Sequence, residues 1–398
     1  MALAKARASR MSRTSRTSRA VRVARTAGTG AVALAAAALF AAPAASAADG
    51  HRGSDSRTHH GSSTVFVQTD DTSANSVVAY ERAADGTLGQ KGVYRTGGKG
   101  GVLAGTVADH LASQGSLAYD RHNQLLYAVN AGSDTVTVFA VRGTHLRRVQ
   151  EISSGGQFPV SVTFHGDRVY VANALGGGSV QGFVRTGERL VKVPAWHREL
   201  GLGTAASAVG QISFTPDGSK LVVTTKAAGQ SIDVFPVGRH GGPSARPVVT
   251  SLPGAVPFGF DFDSAGRIHV TEAGTNSVGT FTVARDGALT AKGTVPTGQT
   301  ATCWAVTAAG NVYVSNAASG TVSGYRVGAQ GKLTALGNTA TDAGTVDAAA
   351  SSDGRYLYVQ TGIKGIVDEF RVGKNGSLTA IGSVVVPGAV GGEGIVAG

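Results

Sequence analysis

The chain has almost no cysteine and few charged or aromatic residues. Cys303 is the only cysteine among 398 residues, so no disulfide can form within the chain, and its stability must come from packing. Aromatic residues make up 6% and charged residues 15%, whereas glycine occurs 58 times. This composition favours a turn-rich β protein over a helical one.

Basic residues are also scarce once the first 25 positions are set aside. Those positions hold eight of the 36 Lys and Arg residues and no acid, which leaves 28 bases against 25 Asp and Glu, a net charge of +3. No dense Lys/Arg run follows. Nucleic acid is therefore not expected as a partner, because nucleic-acid proteins usually carry a clustered basic patch.

The basic N-terminus reads as a signal peptide. An Ala-rich apolar stretch at residues 31–42 follows it, and Ala45-Ser46-Ala47 forms a small-residue cleavage site before Ala48. The apolar stretch is too short to cross a bilayer, so a retained anchor is the weaker alternative. We expect residues 1–47 to be removed and the mature chain to be secreted, or held at the cell wall, without membrane insertion. Residues 48–63 are polar and predict a disordered linker.

Several familiar catalytic motifs are missing. The chain has no Gly-x-Ser-x-Gly elbow, no Gly-Lys-[Ser/Thr] phosphate loop, no His-Glu-x-x-His, no paired-cysteine site and no acidic calcium loop. We therefore expect no metal and no cofactor.

A repeat dominates the remainder of the chain. A short apolar strand recurs seven times. The first two copies are 61 residues apart, and later copies follow at intervals of 43 to 52 residues. These intervals are close to the roughly 40 to 50 residues of a four-stranded propeller blade. The copies are Phe66-Val67-Gln68-Thr69, Tyr127-Ala128-Val129-Asn130, Tyr170-Val171-Ala172-Asn173, Val222-Val223-Thr224-Thr225, His269-Val270-Thr271-Glu272, Tyr313-Val314-Ser315-Asn316 and Tyr358-Val359-Gln360-Thr361.

A second signal follows each copy, namely an aliphatic residue three positions before an aromatic one. The pairs are Val77 and Tyr80, Val136 and Phe139, Val180 and Phe183, Ile232 and Phe235, Val278 and Phe281, Val322 and Tyr325, and Val367 and Phe370. Most units continue with a glycine turn such as Asp85-Gly86, which suits a tight hairpin.

The ends of the repeat region are complementary. The first unit has no leading strand, whereas the last is followed by a spare apolar segment, Glu393-Gly394-Ile395-Val396-Ala397. We therefore predict an all-β, seven-bladed propeller of four-stranded antiparallel blades over residues 64–398, closed by the C-terminal strand in blade one. A β-sandwich explains neither the seven equal units nor the complementary ends.

Candidate functional residues follow from the predicted central channel. Aligning the inner strands places Ser116, Ser161, Gln211, Gly259, Cys303 and Asp347 at one level, with Gln114 and Glu393 nearer the mouth. Asp347 and Glu393 are the only carboxylates of this ring and are candidates for acid/base work. The competing interpretation is a set of hydrogen-bonded channel residues, in which Cys303 is inert packing.

Two long connections add further candidates. The Gly-rich insertion at residues 97–101 leads to Asp109 and His110, which are candidates for substrate orientation or a base, or else for a capping turn. Trp196, His197 and Arg198 would suit contact with a carbohydrate or an anion, or pack on the rim. Glu272 is a further catalytic candidate, or else is hydrogen-bonded to the next blade, and Gln114 and Gln211 are candidate ligand-binding residues.

The repeat resembles known propellers. Tyr313-Val314-Ser315-Asn316, and Leu357 to Thr361 after Ser-Ser-Asp-Gly, resemble tyrosine-valine-threonine-asparagine repeat propellers and the seven-bladed lactonase family, which includes 6-phosphogluconolactonase-like and carboxymuconate-cyclase-like proteins. The resemblance implies the fold and a lactonase or cycloisomerase activity.

The chain departs from the functional residues that the resemblance implies. Family enzymes have a histidine on inner strands and Asn-Glu or Asn-Arg leaving the second strand, whereas the inner level here has no His or Arg. After the second strands come Asp70, Ala131, Ala174, Lys226, Ala273, Ala317 and Gly362. The cations that would hold a phosphosugar or polarise a lactone are therefore not expected.

Two functional hypotheses remain. The first is a monomeric, non-catalytic extracellular protein that binds a small molecule, a glycan or a protein at the channel mouth. The second is a secreted lactone hydrolase or cycloisomerase that draws on Asp109, His110, Glu272, Asp347 and Glu393. Folds do not carry function by themselves, so the first is preferred.

Overall fold

The computed structural model describes residues 63–203 and 209–398. The predicted signal peptide at residues 1–47, and the predicted linker up to residue 62, lie outside the described residues.

Strands account for most of the described chain, and they follow one another in antiparallel hairpins. In chain order they are β1 Thr64–Gln68, β2 Ser76–Arg82, β3 Leu88–Arg95, β4 Leu117–Asp120, β5 Leu125–Asn130, β6 Thr135–Arg142, β7 His145–Ser153, β8 Pro159–His165, β9 Arg168–Asn173, β10 Ser179–Thr186, β11 Arg189–Glu199, β12 Gln211–Phe214, β13 Lys220–Thr225 and β14 Ser231–Pro236.

The second half continues in the same way. Its strands are β15 Val248–Ser251, β16 Pro257–Phe262, β17 Ile268–Glu272, β18 Ser277–Val283, β19 Leu289–Pro296, β20 Thr302–Ala308, β21 Asn311–Asn316, β22 Thr321–Val327, β23 Leu333–Ala340, β24 Thr345–Ala350, β25 Tyr356–Thr361, β26 Ile366–Val372, β27 Leu378–Val385 and β28 Ile395–Ala397. A one-turn helix α1, Lys226–Gly229, and two short 3₁₀ turns, Ala131–Ser133 and Ala329–Gly331, interrupt them.

The described strands form seven four-stranded sheets. Blade one has the order β28-β1-β2-β3, and blades two to seven each take four consecutive strands from β4 to β27. The predicted seven-bladed propeller is confirmed, and the β-sandwich alternative is excluded. Among the described residues, no helix is both long and apolar enough to cross a membrane.

The repeated aliphatic and aromatic pairs form the core between blades. Residues three apart on a strand point to opposite faces of the sheet, yet both members of every pair are buried, as Val136 and Phe139 illustrate. Both faces of a blade are covered because each blade packs between two neighbours. This explains why the repeat has near-continuous apolar runs rather than simple alternation.

The repeated tyrosine forms a hydrogen bond to the next blade in blades six and seven. Tyr313 donates its hydroxyl hydrogen to the Gly376 carbonyl (2.9 Å), and Tyr358 does the same to Gly86 (2.8 Å). Both acceptors lie in the outer hairpin turn of the following blade, where glycine adopts φ values of +85° and +101° respectively. In these two blades, the repeated tyrosine is therefore the donor and the turn glycine of the next blade is the acceptor of one hydrogen bond.

The C-terminus supplies the inner strand of blade one. Val65 pairs with Ala397 and Val67 with Ile395 in an antiparallel ladder between β1 and β28. Backbone hydrogen bonds extend the ladder at both ends, from Gln68 N to Gly394 O (2.8 Å) and beyond β28 at Gly398. The sheet edge of β1 is therefore covered by the other end of the chain.

Removing residues 393–398 should open the ring. The deletion uncovers the β1 edge and removes the buried Ile395 side chain, so we expect the free energy of unfolding to fall by about 3 kcal/mol or more. Chemical denaturation and size-exclusion chromatography measure this loss and the resulting association. The control is Val385→Ala on β27, where the side chain is exposed. Equal stability of the truncated and full chains would contradict the closure as described.

Candidate functional site

Residues 109–116 cross the channel and close it. The Gln114 side chain donates to the Ala305 carbonyl (2.7 Å) and accepts from the Ala305 N–H (3.0 Å) in blade six. The Trp304 indole N–H donates to the Ser113 carbonyl (2.5 Å). We call residues 109–116 the channel plug. These bonds link the plug to blade six across the channel.

Four carboxylic acids converge at the plug. One follows the second strand of blade one, one belongs to the plug, one lies on the inner strand of blade seven, and one lies just before the inner strand of blade one. They are Asp70, Asp109, Asp347 and Glu393, and all are buried. The electrostatic influence of Asp109 reaches each of the other three acids.

Backbone amides hold Glu393, the most deeply buried of the four, in place. Its Oε1 accepts from the N–H groups of Gly115 (2.9 Å) and Ser116 (3.3 Å), and its Oε2 accepts from the Ser113 hydroxyl (3.4 Å). The Glu393 backbone carbonyl accepts from the Ser116 hydroxyl (2.8 Å). Glu393 therefore fastens the C-terminal segment to the plug.

The aspartates make the same kind of contact. Asp109 accepts from the backbone N–H groups of Leu111 (2.8 Å) and Ser113 (2.9 Å), a capping arrangement within the plug. Asp70 accepts from the Glu393 N–H (2.9 Å) and the Gln68 amide (2.6 Å).

Asp347 completes the set from the inner strand of blade seven. It accepts from the backbone N–H of Ala348 (2.9 Å) and from that of Ile395 (3.4 Å) on β28. Its charge also acts on Glu393 and helps to raise the pKa of that carboxyl. The two carboxyls that the sequence places on one ring thus interact.

Burial dominates the titration of this cluster. Loss of hydration raises the pKa of Asp70 and of Asp347 to about 7 and that of Asp109 to about 6, against hydrogen bonds that lower them. Burial, followed by the charges of the neighbouring aspartates, raises the pKa of Glu393 well above its ordinary value. Burial therefore disfavours the charged form of all four acids.

One cation faces the cluster. Lys226, the first residue of α1, is buried and donates to the Ala112 carbonyl of the plug, and its ammonium lies 5.2 Å from the centre of the Phe258 ring. Burial lowers its pKa to about 8, while the negative charge of Asp109 acts in the opposite direction. Burial also raises the pKa of the Cys303 thiol to about 12, so that this thiol is neutral.

A pocket of about 320 Å³ opens above the plug. The insertion after β3 forms one side of it, and the ends of strands in blades four, five and six form the other. Its lining residues are Leu103, Ala104, Gly105, Thr106, Ala112, Lys226, Ala227, Val256, Phe258, Ala273 and Cys303. It is a mostly apolar pocket with one ammonium group, and we call it the mouth pocket.

The remaining catalytic candidates do not join the carboxyl cluster. His110 lies over Gly391, and its Nδ1 is buried without a hydrogen-bond partner in the described part of the chain, so burial lowers its pKa. Glu272 accepts from the Ser277 hydroxyl (2.7 Å) within blade five.

Of the candidate ligand-binding residues, Gln114 and Gln211 lie on the channel but are engaged. The Gln211 side chain accepts from the Phe260 N–H (2.7 Å) and so joins the inner strands of blades four and five. Both glutamines serve as links across the channel or between blades in this structure.

The segment with Trp196 lies on β11, the outermost strand of blade three. Trp196 stacks on Tyr170 with 5.8 Å between ring centres, and His197 contacts Glu199 (2.8 Å). Arg198 donates to the carbonyls of Ser244 (2.8 Å) and Pro243 (2.5 Å). These contacts correspond to the rim-packing interpretation, and they leave the three residues away from the mouth pocket.

Two residues of the site escaped the sequence analysis, and the expectation of no cation in the channel needs correction. Lys226 and Asp70 both follow second strands, at the positions where the resembling family carries Arg or Glu. Thr225 and Thr69 precede them instead of Asn, which hid the correspondence. In the described residues no three His, Cys, Asp or Glu side chains are grouped to hold a metal ion.

The inner strands of four blades are irregular. The pairing of the first and second strands shifts register between Pro159 and Ser161, between Thr302 and Trp304, and in blades five and seven. Such bulges turn a side chain away from its expected face.

Comparison with known families identifies the class of protein. The model of the family "Lactonase, 7-bladed beta-propeller" matches residues 59–188 and 268–392, more than half of the chain. This chain therefore belongs to the seven-bladed lactonase propeller family.

Solved structures agree on the fold. A periplasmic gluconolactonase of Pseudomonas aeruginosa superposes with a TM-score of 0.67 at 18% identity, over 83% of this chain and 98% of that one. Virginiamycin B lyase of Staphylococcus aureus gives 0.51 at 13% identity, over 72% and 87%. At these identities the likeness shows the fold alone. Among curated proteins, no significant match was found.

The raised pKa of Asp347 predicts a pH dependence of stability. In the unfolded chain the Asp347 carboxyl loses its proton near pH 3.8, whereas in the folded protein it keeps the proton up to about pH 7. Its contribution to the free energy of unfolding therefore falls as the pH rises from about 4 to about 7. We expect Asp347→Asn to remove this fall, so that the stability difference between variant and wild type grows in the variant's favour over that range. Denaturant unfolding at a series of pH values measures it.

The matched control for this experiment is Asp167→Asn, at an exposed position. A difference between Asp347→Asn and wild type that is constant with pH, or that shrinks as the pH rises, would contradict the assigned titration.

Proposed function

We propose that this protein is an exported, non-catalytic member of the lactonase propeller family that binds a small organic anion in the mouth pocket. The observation that carries the proposal is the engagement of the buried carboxyls. Asp109, Asp347 and Glu393 each accept backbone N–H groups from the plug or from the chain around β28. Groups fastened in this way stabilise the closure of the ring and the plug, and they do not reach into the pocket above.

The chemistry of the mouth pocket supports an anion with an apolar portion. Phe258, Val256 and Leu103 offer apolar walls, and the Lys226 ammonium, which donates one hydrogen bond to the Ala112 carbonyl, supplies a positive charge to the lining. A carboxylate that binds near Lys226 would be partly desolvated, which strengthens its attraction to the ammonium. The volume of about 320 Å³ suits a small molecule.

Export is part of the proposal because of the N-terminal sequence. Eight basic residues, a short Ala-rich stretch and Ala45-Ser46-Ala47 have the order of a signal peptide. The propeller itself needs no disulfide, since its seven blades bury the repeated aliphatic and aromatic side chains.

A lactone hydrolase is the second candidate. Lys226, with a pKa of about 8, and Asp109, with a pKa of about 6, lie together at a site whose fold is that of a lactonase family. Groups that titrate near neutral pH suit general acid/base catalysis. Against this, His110 Nδ1 has no hydrogen-bond partner in the described part of the chain, and Asp109 is engaged with two backbone amides.

Replacing the ammonium tests the binding proposal. We expect benzoate to bind the wild type, benzyl alcohol to bind at least about tenfold more weakly, and Lys226→Met to lose about the same factor for benzoate. Affinity should also fall as the pH rises through about 8, where Lys226 loses its charge. Isothermal titration calorimetry measures these affinities.

The control is Lys364→Met, because Lys364 is an exposed lysine of blade seven. Equal benzoate affinity in Lys226→Met and wild type would exclude this pocket as the anion site.

A lactone panel separates the two candidates. For a binding protein, purified wild type should hydrolyse no lactone above the buffer rate, and His110→Ala and Asp347→Ala should match it. Turnover that falls about 100-fold or more in Asp347→Ala, with the fold retained by circular dichroism, would replace the binding proposal with the hydrolase.

A further inference from the structure

A second pocket, of about 480 Å³, lies between blades one and two and shares no lining residue with the mouth pocket. The β1–β2 turn forms one side of it, and the Gly-rich insertion and β7 form the other. Its lining residues are Ser73, Ala74, Asn75, Arg95, Gly97, Gly98, Lys99 and Arg148. We call it the inter-blade pocket. Three of its eight residues are cations, and none of the eight is an acid.

Arg148 is oriented toward this pocket by one hydrogen bond. Its Nη1 donates to the Thr96 carbonyl (3.2 Å), which also accepts from the Thr137 hydroxyl (3.0 Å). A guanidinium has five N–H donors, and no other hydrogen bond of the Arg148 side chain occurs in the described part of the chain. The guanidinium is therefore fixed at one corner, with further donors able to bind a ligand.

Gly97 permits this position of Arg148. It adopts φ +98°, and a methyl group added there would lie 1.9 Å from Arg148 Nη1. Any side chain at position 97 would therefore displace the guanidinium. The glycine is needed for the close approach as well as for its backbone conformation.

Lys99 projects from a backbone that is held on both sides. Its N–H donates to the Ser133 hydroxyl (3.1 Å), and its carbonyl accepts from the Gly132 N–H (3.0 Å). Arg95 ends β3 directly before the insertion. The insertion thus presents two cations beside Arg148 from an ordered loop that is bonded to the next blade.

Two acids lie near these cations without an ion pair to them. Asp71 is close enough to Arg95 for the charge of Arg95 to lower the pKa of Asp71, and both Arg148 Nη1 and Glu151 Oε2 lie within 2.7 Å of the position that a methyl group would take on Gly97. Asp71 accepts from the Ser73 N–H and hydroxyl (both 2.7 Å), and Glu151 accepts from the Thr135 hydroxyl (2.9 Å). Within residues 63–203 and 209–398, no ion pair involves Arg95, Lys99 or Arg148. The three cations of the lining repel each other, and an anion bound between them would relieve this repulsion.

We propose that the inter-blade pocket is an anion site that binds a phosphate group, with Arg148 and Lys99 on either side of it and Arg95 at its edge. A phosphate carries close to two negative charges at pH 7 and accepts several hydrogen bonds, which matches two guanidinium groups and an ammonium better than a carboxylate does. The volume leaves room for a molecule that carries the phosphate.

Titration with defined probes tests the site. The probes are inorganic phosphate, glycerol 1-phosphate and acetate, added to the full mature chain at constant ionic strength and followed by isothermal titration calorimetry. We expect saturable binding of at least one phosphate probe and at least about tenfold weaker binding of acetate. Tighter binding of glycerol 1-phosphate than of inorganic phosphate would identify an ester as the ligand, and the reverse would identify the free ion.

Variants locate the binding. Arg148→Ala, Lys99→Ala and Gly97→Ala should each weaken phosphate binding by about tenfold or more. The matched control is Arg147→Ala, whose wild-type side chain lies next along β7 and pairs with Glu188 (2.6 Å). Lys99 is exposed, so its variant reports on the site even if Arg148→Ala is poorly folded. The proposal is overturned by the absence of saturable phosphate binding, by acetate binding as tightly, or by an equal loss in Arg147→Ala.

Discussion

The antiparallel pairing of β28 with β1 is the contact on which the rest of the structure depends. A propeller blade is stable between two neighbours, and a ring that fails to close leaves two blade faces and a sheet edge in water. The three residues of β28 would be a weak closure by themselves. The segment before them adds Glu393, which is fully buried and bonded to the plug through Gly115 and Ser116. Closure of the ring and closure of the channel are therefore one structural event.

This coupling explains the electrostatics of the centre. Burying four carboxyls costs free energy, since each prefers water when it is charged. The structure lowers this cost with backbone N–H donors, with protons retained near neutral pH, and with the ammonium of Lys226. The same groups hold the C-terminus and the plug in place. Their structural role therefore accounts for their shifted pKa values as well as a catalytic role would. Perturbed pKa values alone therefore do not identify an active site here.

Particular residues show how far the sequence could predict the site. The alignment of the inner strands on their turn glycines predicts Asp347 and Glu393 on one ring, and the two carboxyls do interact electrostatically. Lys226 was missed because it follows a strand that ends in Thr225, and only the turn of α1 directs its side chain to the plug. Trp196 was assigned to a ligand site because an aromatic beside a cation is a common binding pattern. Its stacking on Tyr170 depends on the pairing of β10 with β11, which sequence spacing does not specify.

The amino-acid sequence by itself determined the number of blades, the four-stranded antiparallel pattern of each, and the closure by the C-terminus. It did so because these features rest on a local period of apolar residues and turn glycines that repeats seven times. Only the tertiary structure decided that residues 109–116 cross the channel, that Lys226 faces Asp109, and that Arg95, Lys99 and Arg148 surround one pocket. These contacts join residues from different blades through loops and bulges, where neither periodicity nor spacing specifies the direction of a side chain.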